Sequence, residues 1–434
     1  MEIRVYGLGY IGMVTALGLT RDNLSVHGVE KVKSKVDTLK KGKLHVYEPG
    51  LDTWLKDALA KNLFDCSAKS EFAGNEKELV ALFCVGTPMG ALGEVDLSQT
   101  ESALKDFMDG LKNSSHRNIL VVLRSTVPPG TSNSIFVKAI EKFNKDHTDK
   151  RIDFLYYPEF LRASSALQDF ANPKLIVLGS DKPGSQLEER WSSFLKLIPG
   201  YARGKWVDIK TAEIIKYAQN SFNALRISFS NELATLSSFY GVDSRQVYEL
   251  MAENISHEKS GDYLRPGFSF GGPCLVKEVE ALAWLGKRSG HELPVISNIS
   301  KSNEEHFKRF LATIQRTGAK KVLILGISFK PETDDLRSSF SLKLVEKLLD
   351  GPSYKEKVQV TIVERSEVVE KATKYWQYNE KVEVITLDKL KSENHELVVF
   401  GPLRIDTKVR KSLTENSEKV IHLGFFEELP DFNF

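Results

Sequence analysis

Ile3-Arg-Val-Tyr-Gly7-Leu-Gly9-Tyr-Ile-Gly12-Met13-Val-Thr-Ala-Leu-Gly-Leu19 decides the fold. A short apolar run reads as a buried strand. Three glycines spaced Gly-x-Gly-x-x-Gly form a turn, and an apolar helix follows. Leu24–Glu30 then reads as a second strand, which completes the strand, turn, helix, strand unit of a parallel sheet. Further strands are expected at Leu79–Val85, Ile119–Leu123, Asp153–Tyr157 and Leu175–Gly179, with helices such as Leu97–Lys112 and Asn133–Lys145 between them. Residues 1–205 therefore read as one doubly wound α/β domain.

The pattern changes at Thr211–Tyr240, thirty residues without Gly or Pro and apolar at helical spacing. One helix of about 45 Å is expected, closed by Gly241 as C-cap. It is long enough to join two domains and to serve as a dimer spine. A helical region continues through Trp284 to about Lys308. A second α/β unit begins at Lys320, with strands at Val322–Gly326, Val358–Val363, Val382–Ile385, Leu397–Gly401 and Lys419–Leu423 and a helix at Phe340–Leu349. The division is 1–205, 206–308 and 309–434. The fold class is α/β, two Rossmann-like doubly wound domains joined by a long central helix and a helical dimerisation domain. The first and last thirds share an architecture without an exact internal repeat.

Length and composition bound the rest. A chain of 434 residues exceeds one domain, and 41% hydrophobic with 27% charged residues is globular. The net charge of +2 gives no field that would draw the protein onto nucleic acid or an anionic membrane. Apolar runs fall far short of the ~18 residues of a membrane span. The N-terminus runs directly into a strand, so no signal peptide is expected and the cytoplasm is the expected location. Three cysteines build no disulfide framework. Their lack of ligand spacing to histidines leaves no metal site expected.

In the Gly7, Gly9, Gly12 turn, the first glycine permits the bend and the second lets backbone amides approach a pyrophosphate at the helix N-terminus. Glu30, at the end of the next strand, suits a ribose 2′-hydroxyl and repels a 2′-phosphate. The expected cofactor is NAD, with Lys31, Lys33 and Lys35 weakening that preference; close helix–strand packing is the plainer explanation of the glycines.

Cys274 lies in Phe270-Gly-Gly-Pro-Cys-Leu-Val-Lys-Glu278. Pro273 suits a first helical position, which puts Cys274 in the first turn, where the helix dipole favours a thiolate. Two glycines before it leave room for a ligand, and Lys277 and Glu278 share its side of the helix. An inert buried thiol is the alternative. Cys66 and Cys84 lack these surroundings. Lys216 and Asn220 sit one turn apart on the long helix among apolar residues; they suit anion or oxyanion binding, or Lys216 simply snorkels. Val85-Gly-Thr-Pro88, Arg124-Ser-Thr-Val-Pro-Pro-Gly-Thr131 and Tyr157-Pro-Glu-Phe-Leu-Arg162 each follow a strand, where α/β sheets bind ligands, and Glu159 offers a base. Gly326-Ile-Ser-Phe-Lys330 through Arg337 follows a strand too, with Lys330 and Arg337 suited to a phosphate-bearing ligand.

Together with Tyr47-Glu-Pro-Gly-Leu51, these motifs make the chain resemble the UDP-glucose/GDP-mannose dehydrogenase family over nearly its whole length. Leu264–Gly272 and Gly326–Lys330 are more similar to the GDP-mannose branch. The resemblance implies NAD-dependent, four-electron oxidation of a nucleotide-sugar primary alcohol to a carboxylate by a homodimer. It implies that Lys216 and Asn220 handle the alcohol and the oxyanions, that Cys274 adds to the aldehyde, and that Glu159 and a water near Thr126 assist thioester hydrolysis, with Glu278 beside them. Tyr10, Ile11, Glu30, Lys35, Thr87, Thr126, Lys277 and Arg337 match the family's NAD contacts. Leu161, Arg162, Asn231, Tyr263, Arg265, Phe268, Gly271 and Lys330 match its substrate contacts, some supplied across a dimer. The family's products feed cell-envelope and capsular polysaccharides.

Three residues depart from the family pattern. Ala163 stands for a second Glu, Glu278 for an Asp, and Pro273 for a Ser, which removes an amide donor. Ala163 and Glu278 motivate a second reading, a nucleotide-sugar-binding protein with impaired turnover. A two-electron hydroxy-acid dehydrogenase is a third, against which the Lys320–Phe434 segment argues.

Overall fold

The computed structural model describes residues 1–72, 76–182, 184–255, 261–350, 358–390 and 395–424. The chain divides into two compact units, Met1–Gln219 and Asn220–Phe434.

The first unit is built on β1 (Glu2–Tyr6), β2 (Val26–Val29), β3 (Phe64–Ser67), β4 (Glu78–Phe83), β5 (Asn118–Leu123), β6 (Arg151–Tyr156), β7 (Val177–Gly179) and β8 (Lys205–Val207). They form one sheet in the order β3-β2-β1-β4-β5-β6-β7-β8. All pairs are parallel except β6 with β7. The central strands are apolar at nearly every position because both faces are covered. In β4, Val80 and Leu82 enter one core with Ile3, Val5 and Leu120, while Leu79, Ala81 and Phe83 enter the other with Ile119, Val121 and Phe107. Six of these strands lie within two residues of their expected bounds at each end. Strands β3 and β8 were not expected; they are short, and their few apolar side chains give no periodic signal.

The long helix runs Ile209–Phe239 and so carries residues of both units. Gly241, at φ +66°, follows it as expected. The helical region expected to about Lys308 consists of Ser244–Ile255, Leu275–Arg288 and Pro294–Arg316, the last running eight residues further. Its sheet comprises β9 (Lys321–Leu325), β10 (Gln359–Val363), β11 (Val382–Ile385), β12 (Leu397–Phe400) and β13 (Val420–His422), in the order β11-β10-β9-β12-β13, all parallel. Val322 and Ile324 face one core and Leu323 and Leu325 the other. Both sheets thus have the Rossmann-like parallel architecture that was expected. Among the described residues, no helix is long and apolar enough to cross a membrane.

Candidate active site

In the first unit, strand register sets the site. Tyr6 pairs with Phe83, Phe83 with Leu123, and Leu123 with Tyr156. Four strands therefore end level, and the loops that follow them gather along one sheet edge. The loops interlock. Thr87 Oγ1 donates to the Thr126 carbonyl at 2.9 Å, and Ser125 Oγ donates to the Val85 carbonyl at 2.7 Å. The Arg124 guanidinium lies 4.3 Å from the Tyr157 ring centre. Glu213, buried on the long helix, accepts from the amides of Gly130 and Ser132 at 2.5 and 2.8 Å. Burial raises its carboxyl above the usual range in spite of those donors.

At the glycine turn, Gly7 adopts φ +84°. A Cβ on Gly12 would lie 1.8 Å from the Gly7 carbonyl oxygen, whereas one on Gly9 would meet nothing within 4 Å. The two glycines therefore serve different ends: Gly12 permits helix–strand packing, and Gly9 leaves an open approach to the turn. No side chain caps the Tyr10–Thr20 helix at this end. Glu30 accepts from the Leu8 amide at 3.1 Å and the Val32 amide at 3.0 Å, with Lys35 Nζ at 3.9 Å. A carboxylate fixed beside an open turn and a positive helix end fits the adenosine and pyrophosphate of a dinucleotide.

Lys216 Nζ lies 3.0 Å from Glu159 Oε1, and their side chains are 3% and 7% exposed. This buried ion pair replaces the snorkelling alternative: helix packing puts the ammonium inside, so it takes a carboxylate partner. Glu159 also accepts from the Leu161 amide at 2.7 Å. Arg162 is held by Asp169 through Nε at 3.0 Å and Nη2 at 2.8 Å, and Leu161 packs against the core beneath. No role was expected of Glu48. Its buried carboxylate accepts from Tyr10 Oη, from the Ser164 amide at 2.8 Å and from the Ala166 amide at 2.7 Å. Burial, then the Glu48 carboxylate, holds the Tyr10 phenol far above its ordinary range. Glu48 stands in the Tyr47–Leu51 motif, but its partners are distant in the chain, Tyr10 by 38 residues and Ser164 and Ala166 by 116 and 118. Glu213 had no local signal at all.

In the second unit, Cys274 is exposed, while Cys66 and Cys84 are buried in the first. Burial pushes both of those thiols up to about 11. Cys274 is the N-cap of Leu275–Arg288, its carbonyl accepting from the Glu278 amide at 2.9 Å. This corrects the expected geometry: Pro273 precedes the helix rather than opening it, and Cys274 stands at its entrance rather than in its first turn. Lys277 lies in that first turn. Glu278 is buried and accepts from Asn220 Nδ2 at 2.7 Å. The glycines before Cys274 do not leave room for a ligand. A Cβ on Gly271 would lie 2.4 Å from the Ser338 carbonyl, and one on Gly272 2.7 Å from the Phe329 ring. The protein's own 327–339 loop fills that space.

The approach to Cys274 is braced from both sides. Asn231 Oδ1 accepts from the Gly267 amide at 2.8 Å, and His306 Nε2 bonds the Gly267 carbonyl at 2.8 Å. Asn303 clamps the Phe270 backbone, accepting from its amide at 2.9 Å and donating to its carbonyl at 2.8 Å. Phe268 points into the core against Phe310, with ring centres 5.2 Å apart. Tyr263 and Arg265 stand nearer the surface, within 6.0 Å of Arg226 and 5.9 Å of Tyr248 respectively. Lys330 and Arg337 lie on the 327–339 loop, Arg337 paired bidentately with Asp335 at 2.9 and 2.6 Å. Asp335, and to a lesser degree the charge of Cys274, raises the Arg337 guanidinium further above its ordinary value. Among the described residues no three His, Cys, Asp or Glu side chains gather as a metal site.

A parallel α/β unit with this turn and acidic strand end is a pyridine-dinucleotide dehydrogenase scaffold, and the comparisons carry the identification further. Residues 1–194 match the UDP-glucose/GDP-mannose dehydrogenase family, NAD binding domain, and residues 210–305 match the family's central domain. The GDP-mannose 6-dehydrogenase of Azotobacter vinelandii is 33% identical over 82% of this chain and 80% of its own length. A UDP-glucose 6-dehydrogenase of Pseudomonas aeruginosa is 32% identical over 80% of this chain and 76% of its own. The solved structure of a UDP-glucose dehydrogenase from Pyrobaculum islandicum superposes with a TM-score of 0.82 at 28% identity, covering 97% of this chain and 94% of that one. This chain belongs to the UDP-glucose/GDP-mannose dehydrogenase family, and its cofactor is NAD.

Proposed function

We propose that this protein oxidises the C6 alcohol of a nucleotide-diphosphate sugar, GDP-mannose or UDP-glucose, to the uronate through a covalent Cys274 intermediate. The observation that carries this reading is Cys274 itself: an exposed thiol at a helix entrance, four residues before a buried Glu278 held by Asn220. Helix amides and dipole favour its thiolate. In this reading, segment 1–205 holds NAD, 206–308 carries the nucleophile, and 309–434 holds the nucleotide sugar.

Gly9, Tyr10, Ile11 and Glu30 would hold the cofactor, which supplies a hydride acceptor for both oxidations. Lys216 and Asn220 orient the C6 oxygen and stabilise its negative charge. The Cys274 sulfur adds to the aldehyde carbon, forming a C–S bond and a thiohemiacetal. Loss of hydride from that carbon leaves a thioester. Water, positioned by Glu159 near Thr126, attacks the thioester carbonyl; the C–S bond breaks, the carboxylate departs and the thiol is restored. A buried ion pair seldom stabilises a fold more than apolar residues of the same shape, which supports a chemical reason for Lys216 and Glu159.

We also read the chain as a homodimer. Phe222, Phe229 and Leu236 recur every seven residues on the long helix and are 56%, 53% and 53% exposed. Such a stripe suits burial against a second copy. Phe229→Glu should then halve the mass measured by light scattering; an unchanged mass removes this face as the interface.

The test of the reaction mixes protein and NAD with each sugar in turn and follows NADH with product. Two NADH per uronate are expected with one sugar. Cys274→Ser should lower uronate release by on the order of a thousandfold, and full release at the wild-type rate would overturn the covalent route.

A further inference from the structure

The 327–339 loop carries Lys330 and Arg337, and it is held both by its own hydrogen bonds, such as the Phe329 amide to the Asp335 carbonyl at 3.2 Å and Ser339 Oγ to the Ile327 carbonyl at 2.6 Å, and by residues outside it. Glu332 and Ser338 are non-glycine residues at φ +56° and +51°. Such conformations persist only where surroundings over-determine them.

Part of those surroundings comes from the residues that follow β10. The Glu364 carboxylate accepts from the Ile327 amide at 2.8 Å, at the loop's start. The guanidinium of Arg365, next in sequence, reaches the middle of the loop. Its Nη2 donates to the Thr333 carbonyl at 2.6 Å and its Nη1 lies 3.4 Å from Glu332 Oε2. Six residues further on, in the helix that follows, Lys371 pairs with Asp334. On its other side the loop supports the cysteine turn, the Gly272 amide donating to the Ser338 carbonyl at 3.1 Å while Phe329 fills the space over Gly272.

We propose that Arg365 is a positioning residue, holding the 327–339 loop in the one shape that presents Lys330 to the nucleotide sugar and Arg337 to the cofactor. The proposal rests on the ligand roles assigned above to those two residues. Its physical basis is that a planar guanidinium grips a carbonyl and a carboxylate at once, fixing orientation as well as distance. Neither ligand need touch Arg365 for both to depend on it.

Arg365→Ala should raise the KM of both nucleotide sugar and NAD by about tenfold while kcat changes less. Arg365→Lys should recover part of the loss, keeping the charge without the fork. A variant that merely lost folded protein would lower the rate and leave both KM values in place. Hydrogen exchange supplies a readout independent of turnover: amides of residues 328–339 should exchange about tenfold faster in Arg365→Ala, while those of β9 stay protected. Unchanged exchange, or a rise in the KM of one ligand alone, overturns the proposal. If the wild-type protein oxidises no nucleotide sugar, the proposed reaction fails, and the exchange measurement still decides the clamp. If Arg365→Ala does not fold, Lys371→Ala makes the same test at a more exposed grip, with an expected effect of about threefold.

Discussion

The glycine turns of the two sheets begin as the same object. Gly7 and Gly326 each end a central strand at positive φ, +84° and +91°. Each donates its amide to the neighbouring strand, Gly7 to Val29 at 2.8 Å and Gly326 to Val363 at 2.9 Å. Each is followed by an amide bonded to the glutamate closing that neighbour, Leu8 to Glu30 at 3.1 Å and Ile327 to Glu364 at 2.8 Å. They then diverge. In the first, the helix begins at Tyr10, directly after the turn. In the second, the helix begins only at Phe340, and Leu403 packs on the turn, its amide nitrogen 2.4 Å from where a Cβ on Gly326 would lie. One turn stays open at Gly9 and can meet a dinucleotide; the other is closed by Leu403 and leads into the Arg365-held loop instead of a helix. A shared strand order therefore does not imply a shared ligand, because the residues after the glycine decide whether the helix end is reachable.

Alanine at each glycine of the first turn separates packing from binding. Gly12→Ala should destabilise the first unit by about 3 kcal/mol or more, since its Cβ would fall 1.8 Å from a backbone oxygen; thermal melting measures this. Gly9→Ala should melt within about 1 kcal/mol of the wild type yet bind NAD at least about tenfold more weakly, as read by calorimetry. Equal effects from the two would break the distinction drawn between them.

A smaller effect sharpens the contrast from the other unit. Burial lowers the His306 imidazole to about 4. The native state then binds fewer protons than the unfolded one between about pH 6.5 and 4. Stability rises with pH across that window and is lost as pH falls through it, by up to about 3 kcal/mol. Melting at pH 7 and pH 4.5 should differ, and His306→Gln, which can still donate to Gly267, should shrink the difference. An undiminished difference would assign the acid sensitivity elsewhere.

Much of this was legible along the chain. Continuous apolar runs located the central strands, because a strand covered on both faces must be apolar throughout. The glycine turn, the long helix and the second sheet followed from spacing and punctuation. What was not legible were features set by distant partners. Pro273 and Gly271–Gly272 looked like a helix start with space beside it, and the space belongs to Phe329 and Ser338. Lys216 would snorkel on an isolated helix, whereas in the fold it is buried beside Glu159.

Local residue patterns set most strands and helices, with β3 and β8 the exceptions, together with the NAD turn and the family, since these rest on residues within a few positions of one another. Tertiary structure alone decided that Glu48 ties Tyr10 to the loop after Glu159, that Glu213 holds the Gly130 loop, and that Arg365 holds the loop of Lys330 and Arg337. The physical reason is the same in each case. A buried charge must find partners, and which donors it meets is set by strand register and helix packing that bring together segments tens to more than a hundred residues apart.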